Sequence, residues 1–228
     1  MLDRAPASVA LVAPRAEVID EHGGKMPEDW KVERLDTRRP RPHQRVGEVL
    51  RHVDWATAQF GLFRAEALRK TRLIDRFHAC DYVLLMEVAI LGEIWEIPEV
   101  LFQRRFHAGV STNANRTPAE LAQWFDPSLK SRRLFSPRLK LDLVPRTRLG
   151  WEYARSIARM PMPTGERLLC FLTALYGWAS REIRRLSYQY GMRFRRKLGK
   201  MFGRLLHLPA ENGSSAVVEG ESATKKRR

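Results

Sequence analysis

The chain has 228 residues, 44% hydrophobic and 29% charged, enough for one domain with a real core plus an appendage and too charged for a bundle of membrane spans. Its formal net charge of +15 is uneven: residues 181–208 carry nine Lys/Arg against one acid, whereas residues 1–180 carry 28 basic and 22 acidic side chains. That balance favours polyanions, anionic lipid or nucleotide phosphates without choosing among them.

Cys80 and Cys170 stand outside any C-x-x-C or metal-finger spacing, which argues against a zinc site or disulfide framework and fits a reducing cytosol. No charged leader followed by an apolar core is visible at the N-terminus, and the longest nearly apolar run, residues 168–180, is too short to span a bilayer. The expected location is cytoplasmic, with any membrane contact peripheral at the inner face.

In chain order, residues 8–13 (S-V-A-L-V-A) read as a buried strand ended by Pro14, and residues 17–20 as a second short strand before the turn Glu21-His22-Gly23-Gly24. A lone apolar strand so early needs sheet neighbours, and parallel neighbours normally come from β-α units. Residues 26–42 are polar, Pro-bearing and arginine-rich, as in an exposed connection. Val46, Val49, Leu50 and Val53 then mark an amphipathic helix. Residues 58–63 read as a strand and residues 64–68 as a strong helix former.

Residues 82–91 are apolar on nearly every side, so this helix is expected to be buried all round, with Gly92 closing it. Its single charge, Glu87, then needs a partner, for which Arg104 or Arg105 are nearest in sequence. Residues 94–97 read as a strand broken by Pro98, and residues 100–107 as a second. Thr117-Pro118-Ala119-Glu120 has the form of a capping box with Pro in the first turn. A Pro-punctuated connector (126–145) leads to a helix at 149–160. Thr164 opens a last helix whose apolar stripe runs through Leu168, Leu172, Leu175, Ala179, Ile183 and Leu186 to Leu205. Residues 209–228 are polar and Gly/Ser-rich, the composition of disorder.

Two groups of residues carry candidate chemistry. Asp81, at the start of the apolar helix, suits an N-cap; opening onto a cleft, it suits a general base. Arg104, Arg105 and His107 end the following strand, where a solvated edge is the ordinary reading. A diphosphate clamp is the functional one, with His107 as phosphate donor or metal ligand. Strand alternation turns the two arginines to opposite faces. There is no G-x-S-x-G, no phosphate-binding glycine loop and no Asp-x-Asp in the sequence. The ordinary reading of the arginine-rich stretch at 181–206 is a helix packed on its own domain near its start and solvated beyond; as a functional surface it suits an anionic membrane better than nucleic acid, because its aromatics belong largely to the apolar stripe.

V-A-L-V-A-P, I-D-E-H-G-G, G-L-F-R-A-E-A-L-R-K-T, C-D-Y-V-L-L-M-E-V-A-I-L-G, E-I-P-E-V-L-F-Q-R-R-F-H and Ser111, in this order over residues 1–180, resemble the second half of a family 2 glycosyltransferase. The resemblance implies an α/β, partial GT-A-like fold with added C-terminal helices. The expected division is a partial catalytic domain at 1–126, a helical extension at 127–208 and a disordered tail at 209–228. Asp81 would match the family's catalytic base, and Arg104, Arg105 and His107 the segment closing on donor phosphates. The implied reaction is inverting transfer from a nucleotide sugar to a saccharide or glycolipid acceptor, with a divalent metal (Mg or Mn) on the diphosphate. The family's nucleotide-sugar half and its Asp-rich metal motif would lie upstream, so the simplest expectation is a truncated or late-started reading frame, inactive alone. Two other readings stand beside it: a non-catalytic remnant that keeps an acceptor or membrane surface, and an unrelated basic binding module.

Overall fold

A computed structural model describes residues 2–27, 30, 32–110, 114, 115, 117–128 and 145–205. Ser111, most of the 126–145 connector and the 209–228 tail lie outside the described residues. The chain is mixed α/β and forms two compact units, Met1–Ser180 and Arg181–Arg228. In chain order come β1 (Val9–Ile19), α1 (Pro42–His52), a 3-10 turn (Thr57–Phe60), β2 (Leu62–Phe63), α2 (Ala65–Leu68) and α3 (Cys80–Leu91). They are followed by β3 (Glu93–Arg105), α4 (Pro118–Phe125), α5 (Pro145–Arg159) and α6 (Thr164–Leu205).

The sheet is small, with order β2-β1-β3; β1 pairs antiparallel with β2 and parallel with β3. Neither proline ends its strand as the sequence suggests. The β1–β3 register runs Pro14↔Ile97 and then Arg15↔Val100, so Pro98 and Glu99 form an irregularity with no partner on β1, where a proline's missing amide donor is tolerated. Each expected pair of short strands is therefore one long strand. Arg15 and Arg34 both reach Glu96 Oε1 beside this irregularity, at 2.8 and 3.0 Å.

The strand expected at 58–63 shrinks to β2, because the chain before it winds into the 3-10 turn. The 26–42 segment is also not simply exposed. Leu35 and Thr37 are buried, and Thr37 exchanges two hydrogen bonds with the Ile94 backbone: its N–H donates to the carbonyl and its Oγ1 accepts the amide, both at 2.8 Å.

The core gathers around α3, nine of whose twelve residues are buried. Val46, Val49 and Leu50 of α1 pack into the same cluster as Leu85, Met86 and Val88, as the spacing of α1 requires. Buried Arg45 completes the joint. Its Nε donates to Ala89 O at 2.6 Å and Nη2 to Ile90 O at 3.0 Å, satisfying carbonyls in the last turn of α3, where the helix dipole favours a cation. Gly92 does follow the helix, for a reason other than a left-handed cap. Its backbone is extended, and a Cβ there would meet Ser8 O at 2.6 Å and Ala10 Cβ at 2.8 Å, so only glycine lets the turn run against β1.

Glu87, 1% exposed, has partners other than the strand arginines. It accepts the Arg72 backbone N–H at 2.9 Å and the Ser156 hydroxyl at 2.6 Å, with Arg72 Nε at 3.3 Å. Arg72 Nη1 also reaches Glu152 at 2.5 Å, and Glu152 accepts Arg148 Nε at 2.6 Å. One guanidinium thus bridges two buried carboxylates and ties α3 to α5. Tyr153 and Ile157 of α5 join the core as well, so the compact unit extends to Ser180 rather than ending near residue 126.

The face that α6 buries is not the leucine stripe. Cys170 and Ala174 are buried, and a Cβ on Gly177 would meet the Leu50 side chain at 3.0 Å. Small side chains let α6 approach α1 closely, and His43 Nδ1 lies 2.8 Å from Glu166 at the same junction. Leu168, Leu172 and Leu175 remain exposed.

Candidate functional site

Three loops and one strand end converge beside the first turn of α3. Residues 54–57 turn sharply, with Ala56 in the left-handed region (φ 52), and the Glu33 carboxylate holds the turn by accepting the amides of Asp54, Trp55, Ala56 and Thr57. Ala79, the residue before α3, is also left-handed (φ 63). A non-glycine residue in that region is strained, and strain of this kind concentrates where the backbone must aim a group.

Asp81 is consequently the second residue of α3 rather than its N-cap, and its side chain caps nothing further along. Its Oδ1 accepts its neighbour Tyr82's amide at 3.0 Å, and Oδ2 lies 3.4 Å from Gln59 Nε2. Burial pushes the Asp81 carboxyl above its ordinary range, with the Glu33 charge adding in the same direction; the Tyr82 amide and Gln59 pull the other way and do not prevail. A carboxylate in a helix's first turn would ordinarily be favoured by the dipole, so desolvation dominates here.

Asp81 lines a cleft of about 390 Å³ together with Trp55, His78, Tyr82, Arg104 and Phe106. Arg104 enters from the end of β3, donates to Trp55 O at 2.8 Å and lies over the Trp55 ring at 4.4 Å. Burial lowers the Arg104 pKa from its usual value, while the Glu33 and Asp81 carboxylates oppose the shift. The Tyr82 hydroxyl donates to Asp54 O. Trp30, Trp55 and Phe106 form an aromatic cluster, with Trp30 and Phe106 centroids 4.6 Å apart. A carboxyl, a cation and aromatic walls on one cavity are the components of a polar-ligand site.

The other two residues singled out in the sequence stand outside the lining. Arg105 turns to the opposite side, as strand alternation requires, and donates to the carbonyls of Asp20 and Glu21 at 3.2 and 2.7 Å. His107 is exposed, and its Nδ1 accepts the Gly109 amide at 3.2 Å. Among the described residues no three of His, Cys, Asp and Glu converge to hold a metal ion. Burial pushes the Cys170 thiol up to about 11, which keeps it protonated and un-nucleophilic at neutral pH.

Sequence reasoning missed His78, Trp55, Tyr82 and Glu33. His78 was the most findable, three residues before Asp81; it meets Phe125 edge-on at 5.8 Å, which brings α4 to the cleft. Comparison of the chain with protein-family models, with curated proteins and with solved structures finds no match.

Proposed function

We propose that this chain forms the acceptor-side wall of an inverting, family 2 type glycosyltransferase with a partial GT-A-like fold. In this reading Asp81 is the general base. It takes the proton of an acceptor hydroxyl as that oxygen bonds to the anomeric carbon. The bond from that carbon to the donor's phosphate oxygen breaks on the opposite face, and a nucleoside diphosphate leaves with the electron pair. A carboxyl whose burial raises its proton affinity is a stronger base than an exposed one, and that placement of Asp81, in a cleft shared with Arg104, is the observation that supports the reading.

Arg104 supplies positive charge to the departing diphosphate, and its partial burial strengthens that interaction. Trp55 and Phe106 offer flat apolar surface to a sugar ring. His107 stands at the exposed end of the same segment as a further phosphate contact. Arg105 reaches phosphate only by releasing the carbonyls of residues 20 and 21. A saccharide or glycolipid is the acceptor class, in the cytoplasm or at its membrane face. A divalent cation, Mg or Mn, belongs to the reading as the donor's counter-ion. The described residues assemble no ligand set for it, so none of these steps is routed through one.

The test joins the chain to the donor-side half that the proposal requires and measures transfer of labelled sugar from a panel of nucleotide sugars, with Mg or Mn present, to a saccharide and glycolipid acceptor fraction. Asp81→Asn is expected to lower turnover by about 10²–10⁴-fold with donor binding retained. Turnover undiminished in Asp81→Asn overturns the base assignment.

A further inference from the structure

The first half of α6 presents the reverse of a water-facing helix. Leu168, Leu172, Leu175 and Tyr176 are between 55 and 76% exposed, Leu169 is partly so, and no charged side chain interrupts residues 168–176. Spacings of three and four put these residues on one side of the helix. Opposite them, Cys170, Ala174 and Gly177 already face α1, so the first unit's own core does not need the leucine face.

On α5, Trp151 is 60% exposed. Between the two helices runs a groove of about 440 Å³ lined by Gly150, Trp151, Ala154, Phe171, Leu172 and Leu175. The leucine face and the groove form one continuous apolar surface through Trp151, Leu172 and Leu175, of the kind that marks an interaction site.

Charge selects the occupant. Arg155 and Arg159 of α5 are about half exposed, at 53 and 46% of their side chains, each at the outer edge of a long ion pair, 3.9 Å from Glu152 and 3.8 Å from Glu87. The chain's net charge of +15 favours an anionic partner. A second copy would bring two chains of +15 together, which like-charge repulsion opposes. An anionic bilayer answers both halves of the pattern: acyl chains for the leucines, headgroup phosphates for the arginines, and the interface for Trp151 and Tyr176. Among the described residues no helix is long and apolar enough to cross a membrane, so contact would be lateral.

We propose that the α5–α6 face of the first unit, centred on Trp151, Leu172 and Leu175, is an in-plane docking surface for an anionic lipid bilayer. It stands independently of the proposed chemistry, and its test needs no turnover. The full chain is floated with phosphatidylcholine vesicles, and with vesicles carrying about 30% phosphatidylglycerol. Flotation with the anionic vesicles is expected, weaker with neutral ones and in high salt. Leu172→Ser with Leu175→Ser should reduce partitioning about tenfold or more with far-UV circular dichroism unchanged, because both side chains point outward. Asp81→Asn should float like the wild type.

Brominated acyl chains provide a second readout that tolerates any misfolding of the serine variant. They should quench a tryptophan component that the conservative Trp151→Phe variant lacks. Three results overturn the proposal: no flotation of the wild type, undiminished flotation of the leucine double variant, or a dimer in sedimentation that the double variant dissociates.

Discussion

Asp81 and Glu87 share one helix, yet their surroundings answer the cost of burial in opposite ways. Glu87, with Glu152 facing it, is enclosed by Arg72, Ser156 and Arg148, so its buried charge is matched atom by atom. Asp81 has one short-range amide and a long contact to Gln59, and burial wins over them. The first arrangement spends its hydrogen-bonding capacity on joining α3 to α5 and leaves none for chemistry. The second keeps a carboxyl under-solvated, with its proton affinity raised, on the wall of a cleft. A carboxylate's availability for catalysis is thus read from what its neighbours leave unsatisfied rather than from burial alone.

The most direct way to break the comparison is Arg72→Ala, which removes the guanidinium shared by two carboxylates that are each 1% exposed and leaves Glu152 with Arg148 and Glu87 with Ser156 and the residue-72 amide. A loss of about 3–5 kcal/mol is expected in urea unfolding, and a loss below about 1 kcal/mol would show that the network is not what joins the helices. Ser156→Ala removes one charge-assisted hydrogen bond from Glu87, and about 1.5–3 kcal/mol should follow in the same measurement.

Acid titration sharpens the contrast, because the two sites carry opposite signs. For Glu152, burial raises the pKa, but hydrogen bonds from Arg72 and Arg148 outweigh it and leave the folded value below 4.5. Its stabilisation is present above pH 4.5 and is lost as pH falls through the lower folded value. Glu152→Gln should flatten that acid limb in melting experiments. Asp81 has a folded value above 3.8, so its contribution is present below 3.8 and lost as pH rises through the folded value. The smallest expected effect follows: at neutral pH Asp81→Asn should melt at or slightly above the wild-type temperature. A clearly lower melting temperature would mean that Asp81 is a structural anchor like Glu87.

Local pattern made parts of this legible in the sequence. The apolar run after Asp81 and its single acid announced a buried helix with a paired carboxylate, and T-P-A-E announced its own capping box, which α4 displays. The alternation of Arg104 and Arg105 announced one inward and one outward arginine. What the sequence could not show was long-range. Glu87's partners come from a loop before α3 and a helix far after it, so proximity in sequence pointed to the wrong arginines. Glu33 shapes the cleft from a segment with no periodicity at all. The α6 leucines showed a stripe without saying which side was covered, and the small residues Cys170, Ala174 and Gly177 decided that by permitting a closer approach to α1 than leucines allow. Pro14 and Pro98 read as stops because each strand was considered alone; paired, they share one irregularity.

That irregularity separates two jobs along β3. Before Pro98, Ile94 anchors the strand in the core; beyond it, the strand runs out to place Arg104 over Trp55. A two-residue deletion at the Pro98-Glu99 step should therefore slide Arg104 by about 7 Å along the strand while Ile94 stays packed. The reach of the cleft's cation is set by the length of chain beyond this step, and the packing of the sheet by the length before it.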